Sequence, residues 1–94
     1  MRERWFGATG RRVPELVLEG DPLVPVAEAL VLDDVADDAA LHRAHEAGRP
    51  IVVRARTPEE IKLALSHPEI AAVLVPSDRR ELLEVDLREL TYGP

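Results

Sequence analysis

The residues most able to do chemistry follow the first unbroken hydrophobic run, where Ala29-Leu30-Val31-Leu32 gives way to Asp33, Asp34, Asp37 and Asp38. Two carboxylates at a strand end suit Mg²⁺, a hard cation that takes a few carboxylate oxygens and keeps several waters. Asp33 and Asp34 are the candidate metal pair, and a metal- or nucleotide-binding enzyme subunit is the function they would serve. The same residues have a plainer use: Asp33 ends a strand in solvent, and Asp34 or Asp37 caps the helix that follows. His42 and His45 stand one turn apart, with Asp38 four residues before His42, so a helix makes them neighbours. Two imidazoles and a carboxylate can ligate a metal; on a solvated helix face they are equally ordinary. His67, just before Pro68, sits at a helix stop, where it caps carbonyls or faces water.

Nucleophilic and phosphate-loop chemistry find little support. The hydroxyl side chains are Thr9, Thr57, Ser66, Ser77, Thr91 and Tyr92, none within a Gly-x-Ser-x-Gly elbow. Gly7-Ala8-Thr9-Gly10-Arg11-Arg12 is glycine-bearing, but no strand is predicted before it and no Lys-Ser/Thr ends it, so a flexible turn is expected. The lead Arg2-Glu3-Arg4-Trp5-Phe6 is basic and aromatic. Arg2, Arg4, Trp5 and Phe6 are candidate partner-binding residues, with the alternative that Trp5 and Phe6 fold back onto the core.

The elements that must position these groups are regular from residue 29 onward. Short apolar runs at 29–32, 51–53 and 70–75 read as buried strands. Between the first two, residues 36–48 switch to helical spacing, with Ala40, Leu41, Ala44 and Ala47 on one side and Gly48 as the terminator. Thr57-Pro58-Glu59-Glu60 opens the next helix with a hydroxyl cap, proline in the first position and a capping-box glutamate. Ile61, Ala64 and Leu65 form its buried stripe, while Leu63 points away and Ser66-His67-Pro68 stops it. Upstream, Glu15-Leu16-Val17-Leu18-Glu19 reads as a further strand, and Leu23-Val24-Pro25-Val26 as an edge segment, since Pro25 lacks a ladder donor. Downstream, Ser77 or Asp78 caps a helix carrying Leu83, Leu87 and Leu90, although Leu83, Val85 and Leu87 also alternate as a strand would.

Strands spaced about twenty residues apart with a helix between each pair form βαβαβ, which requires parallel strands and crossovers. The expected fold class is therefore α/β: one small two- or three-layer domain over residues 1–94, with a mostly parallel sheet of about four strands. Residues 1–12 are expected as a basic, flexible lead. A sheet this small has exposed edges, which invite self-association.

The segment Leu30-Val31-Leu32-Asp33-Asp34, with Val52-Val53-Arg54-Ala55-Arg56-Thr57-Pro58-Glu59-Glu60 and His67-Pro68-Glu69-Ile70-Ala71-Ala72-Val73-Leu74-Val75-Pro76, resembles the first half of a response-regulator receiver domain. That resemblance implies a flavodoxin-like sheet and a metal-binding pair at Asp33 and Asp34. It does not carry phosphotransfer, because the phosphate-accepting aspartate of receivers matches Val75 or Pro76. Ala29-Leu30-Val31-Leu32-Asp33, followed by Leu41-His42-Arg43-Ala44-His45-Glu46-Ala47-Gly48-Arg49-Pro50-Ile51-Val52-Val53, also resembles the core of the anti-sigma-factor antagonist (STAS) domain. Where that family places a phosphorylatable Ser or Thr, this chain has Val35, Ala36, Asp37 and Asp38. Both likenesses imply a regulatory or binding role and neither implies a phosphorylation switch.

Composition narrows the classes further. Ninety-four residues that are 46% hydrophobic and 32% charged fit one globular domain and exclude a disordered or fibrous chain. No apolar run approaches the ~18–20 residues of a membrane span. The start lacks the pattern of a secretory signal, so a cytoplasmic protein is expected. Zero cysteines exclude disulfides and thiolate metal sites. Asn, Gln and Cys are absent, which fits a thermophile. The net charge is −6, yet four arginines against Glu3 give residues 1–12 a charge of +3, leaving −9 for the remainder. An acidic body argues against nucleic acid as a partner. The reading that results is a non-catalytic interaction or regulatory module, a homodimer or larger homo-oligomer that docks a protein partner.

Overall fold

The computed structural model describes residues 3–33 and 38–84. Strands β1 (Glu3–Trp5) and β2 (Arg12–Pro14) pair antiparallel as a ribbon. Strands β3 (Leu16–Leu18), β4 (Leu30–Leu32), β5 (Ile51–Arg54) and β6 (Ala72–Val75) form the main sheet. Helix α1 (Asp38–Glu46) joins β4 to β5, and α2 (Pro58–Leu65) joins β5 to β6. The sheet order is β3-β6-β5-β4 and all three pairings are parallel. This is the small α/β domain with a four-stranded parallel sheet that the hydrophobic runs imply, consistent with a flavodoxin- or STAS-like βαβαβ core.

The chain steps from β4 to β5 to β6 in one direction across the sheet. Right-handed crossovers that step the same way put their helices on the same face. Accordingly Leu41 and Ala44 of α1 and Ile61, Ala64 and Leu65 of α2 share one core with Ile51, Val53, Val73 and Val75. Fully burying a side chain such as Ile61 or Leu65 contributes roughly 1.5–3 kcal/mol. The alternate residues Val17, Val52, Ala72 and Leu74 face the other way and pack with Phe6, Val13, Val24 and Ala29. Among the described residues that second layer holds no α-helix; it consists of the β1–β2 ribbon and the long connection from β3, at one edge of the sheet, to β4, at the other.

Local chemistry explains where the elements stop. At the start of α2, Thr57 is extended and its Oγ1 accepts from the Glu60 amide at 3.1 Å. The Glu60 carboxylate accepts from the Arg56 amide at 3.3 Å, one residue earlier than a strict capping box would place it. Helix α1 ends in a Schellman turn: Gly48 has φ +72°, its amide donates to His45, and the Arg49 amide donates to Ala44 at 2.9 Å.

Two expectations are corrected. Residues 23–26 do not form an edge strand. The Asp21 carboxylate accepts from the Leu23 amide at 2.9 Å, the Val24 amide bonds back to Asp21, and Val26–Glu28 is one 3-10 turn. Prolines on either side of Leu23 favour turns over a ladder, though Val24 is still buried. The segment after β6 begins as a 3-10 helix, Arg80–Glu84, whose buried residue is Leu82 and not Leu83. Leu87 and Leu90 lie outside the described residues. Among the described residues no helix is long and apolar enough to cross a membrane.

Candidate functional site

Parallel strands all deliver their next residue to the same rim of the sheet, so whatever follows each hydrophobic run is gathered there. Glu19 follows β3, Asp33 follows β4, Arg54 ends β5, and Pro76 follows β6. Arg54 connects them. Its Nε donates to Oε1 of Glu19 at 2.7 Å, and its Nη1 donates to Oδ1 of Asp33 at 3.3 Å. The hydrogen bond to Glu19, then that to Asp33, holds the guanidinium more firmly protonated than an ordinary arginine. All three side chains are substantially exposed, so the network fixes geometry more than it adds stability.

Beside it a cleft of about 340 Å³ opens, lined by Glu19, Arg54, Ala55, Arg56, Leu74, Pro76, Asp78 and Arg79. Its position follows from topology. The chain leaving β5 turns to the helical face, the chain leaving β3 turns to the ribbon face, and β6 lies between them. Such a divergence of connections leaves a crevice at the strand ends. The floor is apolar and the rim is charged. Arg79 pairs with Glu81, which holds Glu81 below the usual carboxylate range. The Arg56 side chain has no ion-pair partner among the described residues, while its backbone amide is taken by Glu60.

The residues singled out from sequence are dispersed. Asp33 is an acceptor for Arg54, and Asp34 lies outside the described residues. His42 and His45 are exposed on α1. Among the described residues no group of three or more His, Asp or Glu side chains is gathered so as to hold a metal ion. Within the lead segment, Phe6 is fully buried and Trp5 is 62% exposed, packed against the Arg12 guanidinium at 5.4 Å from its ring centre. Arg4 points inward to Glu15, and Arg2 lies outside the described residues. His67 is half-buried and contributes its carbonyl to Arg4. The glycine-bearing turn after Phe6 docks on the end of α1, where the Ala8 amide donates to Gly48 at 2.9 Å.

Sequence reasoning missed Glu19, Arg54, Arg56 and Arg79. A signal was available: each stands directly at, or within a few residues of, the end of a hydrophobic run. Which ends meet was set by a strand order that the runs do not encode.

The second feature is the outer edge of β4. The Leu30 amide donates to Pro50 at 2.9 Å and the register is Leu30↔Ile51, Val31↔Val52, Leu32↔Val53. In such a ladder Leu30 and Leu32 turn their backbone groups to β5, and Val31 turns its amide and carbonyl outward. Among the described residues no strand pairs with that edge. Leu30, Val31 and Leu32 are each only half-buried.

No family model, curated protein or solved structure matches this chain.

Proposed function

We propose that this chain is a non-catalytic interaction module that pairs with a second copy of itself along β4. The observation that carries the reading is the self-complementarity of that edge. A two-fold axis through Val31 sets Val31 against its own copy and Leu30 against Leu32. The outward amide and carbonyl of Val31 then form a reciprocal pair of hydrogen bonds, and two four-stranded sheets become one. Within Leu30–Leu32 there is no charge, proline or bulge to blunt a free strand. A three-residue edge makes a small interface, so an affinity of about micromolar is expected. Asp33, the acidic residue of the competing metal-binding reading, is already an acceptor for Arg54.

Sedimentation equilibrium tests the proposal. The unaltered chain is expected to dimerise, and Val31→Pro to be monomeric and folded. Proline here removes only an outward amide and keeps an extended backbone, so the internal ladder is retained. Leu63→Ala, at an exposed site on α2, is expected to leave association unchanged. A monomer at every concentration, or dimerisation indifferent to Val31→Pro, would overturn the reading.

A further inference from the structure

We propose that the cleft at the carboxyl ends of β3, β6 and β5 binds a small phosphorylated sugar, with Arg56 and Arg79 gripping the phosphate and Asp78 accepting from a hydroxyl. Three independent features converge there. The first is topological: the connections leaving β3 and β5 diverge to opposite faces on either side of β6, and the crevice between them is where open parallel sheets take ligands.

The second is charge. A chain of net charge −6 places three of its twelve basic residues around one cleft, against two carboxylates. One of those carboxylates, Glu19, is occupied by Arg54 at 2.7 Å. Arg54 is itself held by Glu19 and Asp33, which leaves it as a fixed wall and not as a free fork. Arg56 has no ion-pair partner among the described residues, and Arg79 uses its Nε for Glu81, so its terminal nitrogens remain. Two guanidinium forks match the oxygens of a dianionic phosphate in a way a single carboxylate does not fill. Asp78, in the same lining, would repel a bare anion but suits a ligand whose phosphate is joined to hydroxyl-bearing carbon.

The third is size and floor. About 340 Å³ is near the lower limit for small-molecule sites, too small for a dinucleotide and adequate for a pentose phosphate. Leu74, Ala55 and Pro76 give an apolar floor for the carbon skeleton.

Titration of the ¹⁵N-labelled protein with ribose 5-phosphate, inorganic phosphate and ribose tests this. Ribose 5-phosphate is expected to shift amides at 54–56 and 77–79 saturably, with phosphate weaker and ribose silent. Arg56→Ala and Arg79→Ala are each expected to weaken binding about tenfold. Both sites are exposed, so the variants should retain the unaltered spectrum elsewhere. Val31→Pro should bind as the unaltered chain does, which separates this inference from self-association. Absence of saturable shifts at those amides, binding of ribose equal to that of its phosphate, or indifference to both arginine substitutions would overturn it.

Discussion

Arg4 and Glu15 form an ion pair inside the domain, Nε to Oε2 at 2.9 Å, with side chains only 13% and 4% exposed. The same guanidinium donates to the carbonyls of Leu65, His67 and Ile70 at 2.6, 3.1 and 3.0 Å. Those carbonyls belong to the end of α2 and the turn after it, where a helix leaves acceptors without amide partners. One side chain from β1 therefore satisfies the carboxyl end of α2 and neutralises a buried acid, tying the ribbon to the helical layer through the sheet's amino-terminal rim.

Replacing Arg4 is expected to be more damaging than neutralising its partner. Arg4→Met removes the ion-pair partner of a buried carboxylate and the donor to three carbonyls, and a loss of about 3–5 kcal/mol is expected. Glu15→Gln keeps a hydrogen-bonding group beside Arg4 and should cost about 1–3 kcal/mol. Arg4→Lys should not restore the loss, since an ammonium cannot reach four acceptors in a fork. Urea unfolding of the three variants gives the order, and equal midpoints for Arg4→Met and Glu15→Gln would contradict it.

Gly7 and Gly20 both have positive φ, yet they should respond differently to a methyl group. At Gly7, φ is +57° and a Cβ would meet the Gly48 carbonyl at 2.6 Å and the Pro50 nitrogen at 2.7 Å. Both are backbone, so neither can swing aside. At Gly20, φ is +91° and nothing lies within 4 Å. Gly20→Ala is expected to cost about 1–2 kcal/mol of backbone strain, and Gly7→Ala clearly more, with the turn lifted off the end of α1. Thermal unfolding, together with hydrogen exchange at the Ala8 amide, measures both effects.

Glu81 provides a pH-dependent readout. The hydrogen bond from Arg79 holds its carboxyl below the usual glutamate range. Because its folded pKa lies below the unfolded one, the pair's contribution is present above the ordinary glutamate value and is lost as pH falls through the folded value. A carboxyl-detected NMR titration should find Glu81 among the most acidic glutamates, and Arg79→Ala should move its midpoint up toward the ordinary range, the hydrogen bond from its own backbone amide remaining. Salt should weaken the shift, since both groups are solvated.

The elements were legible because their signals are local. Thr57-Pro58 and Gly48 act on amides and carbonyls within a few residues, and the apolar runs at 51–53 and 70–75 specify burial by composition alone. Three features were not legible. Arg4 reads as a partner-binding residue of a basic lead, since the acceptors that bury it, the carbonyls of Leu65, His67 and Ile70, lie far away in sequence. Phe6 and Trp5 are adjacent aromatics with the same expected preference, yet one is fully buried and the other 62% exposed, because successive residues of an extended chain face opposite ways. Asp33 offers carboxylate oxygens to any cation, and Arg54 supplies one.

By itself, then, the sequence determined the four strands of the main sheet, the two helices between them, and that those four strands run parallel. Tertiary structure alone decided that β3 lies beside β6, so that Glu19 reaches Arg54 across the strand between them. The reason is physical. Periodicity and caps report energies within one turn or one strand, whereas strand order is chosen by how all the apolar faces can be covered at once.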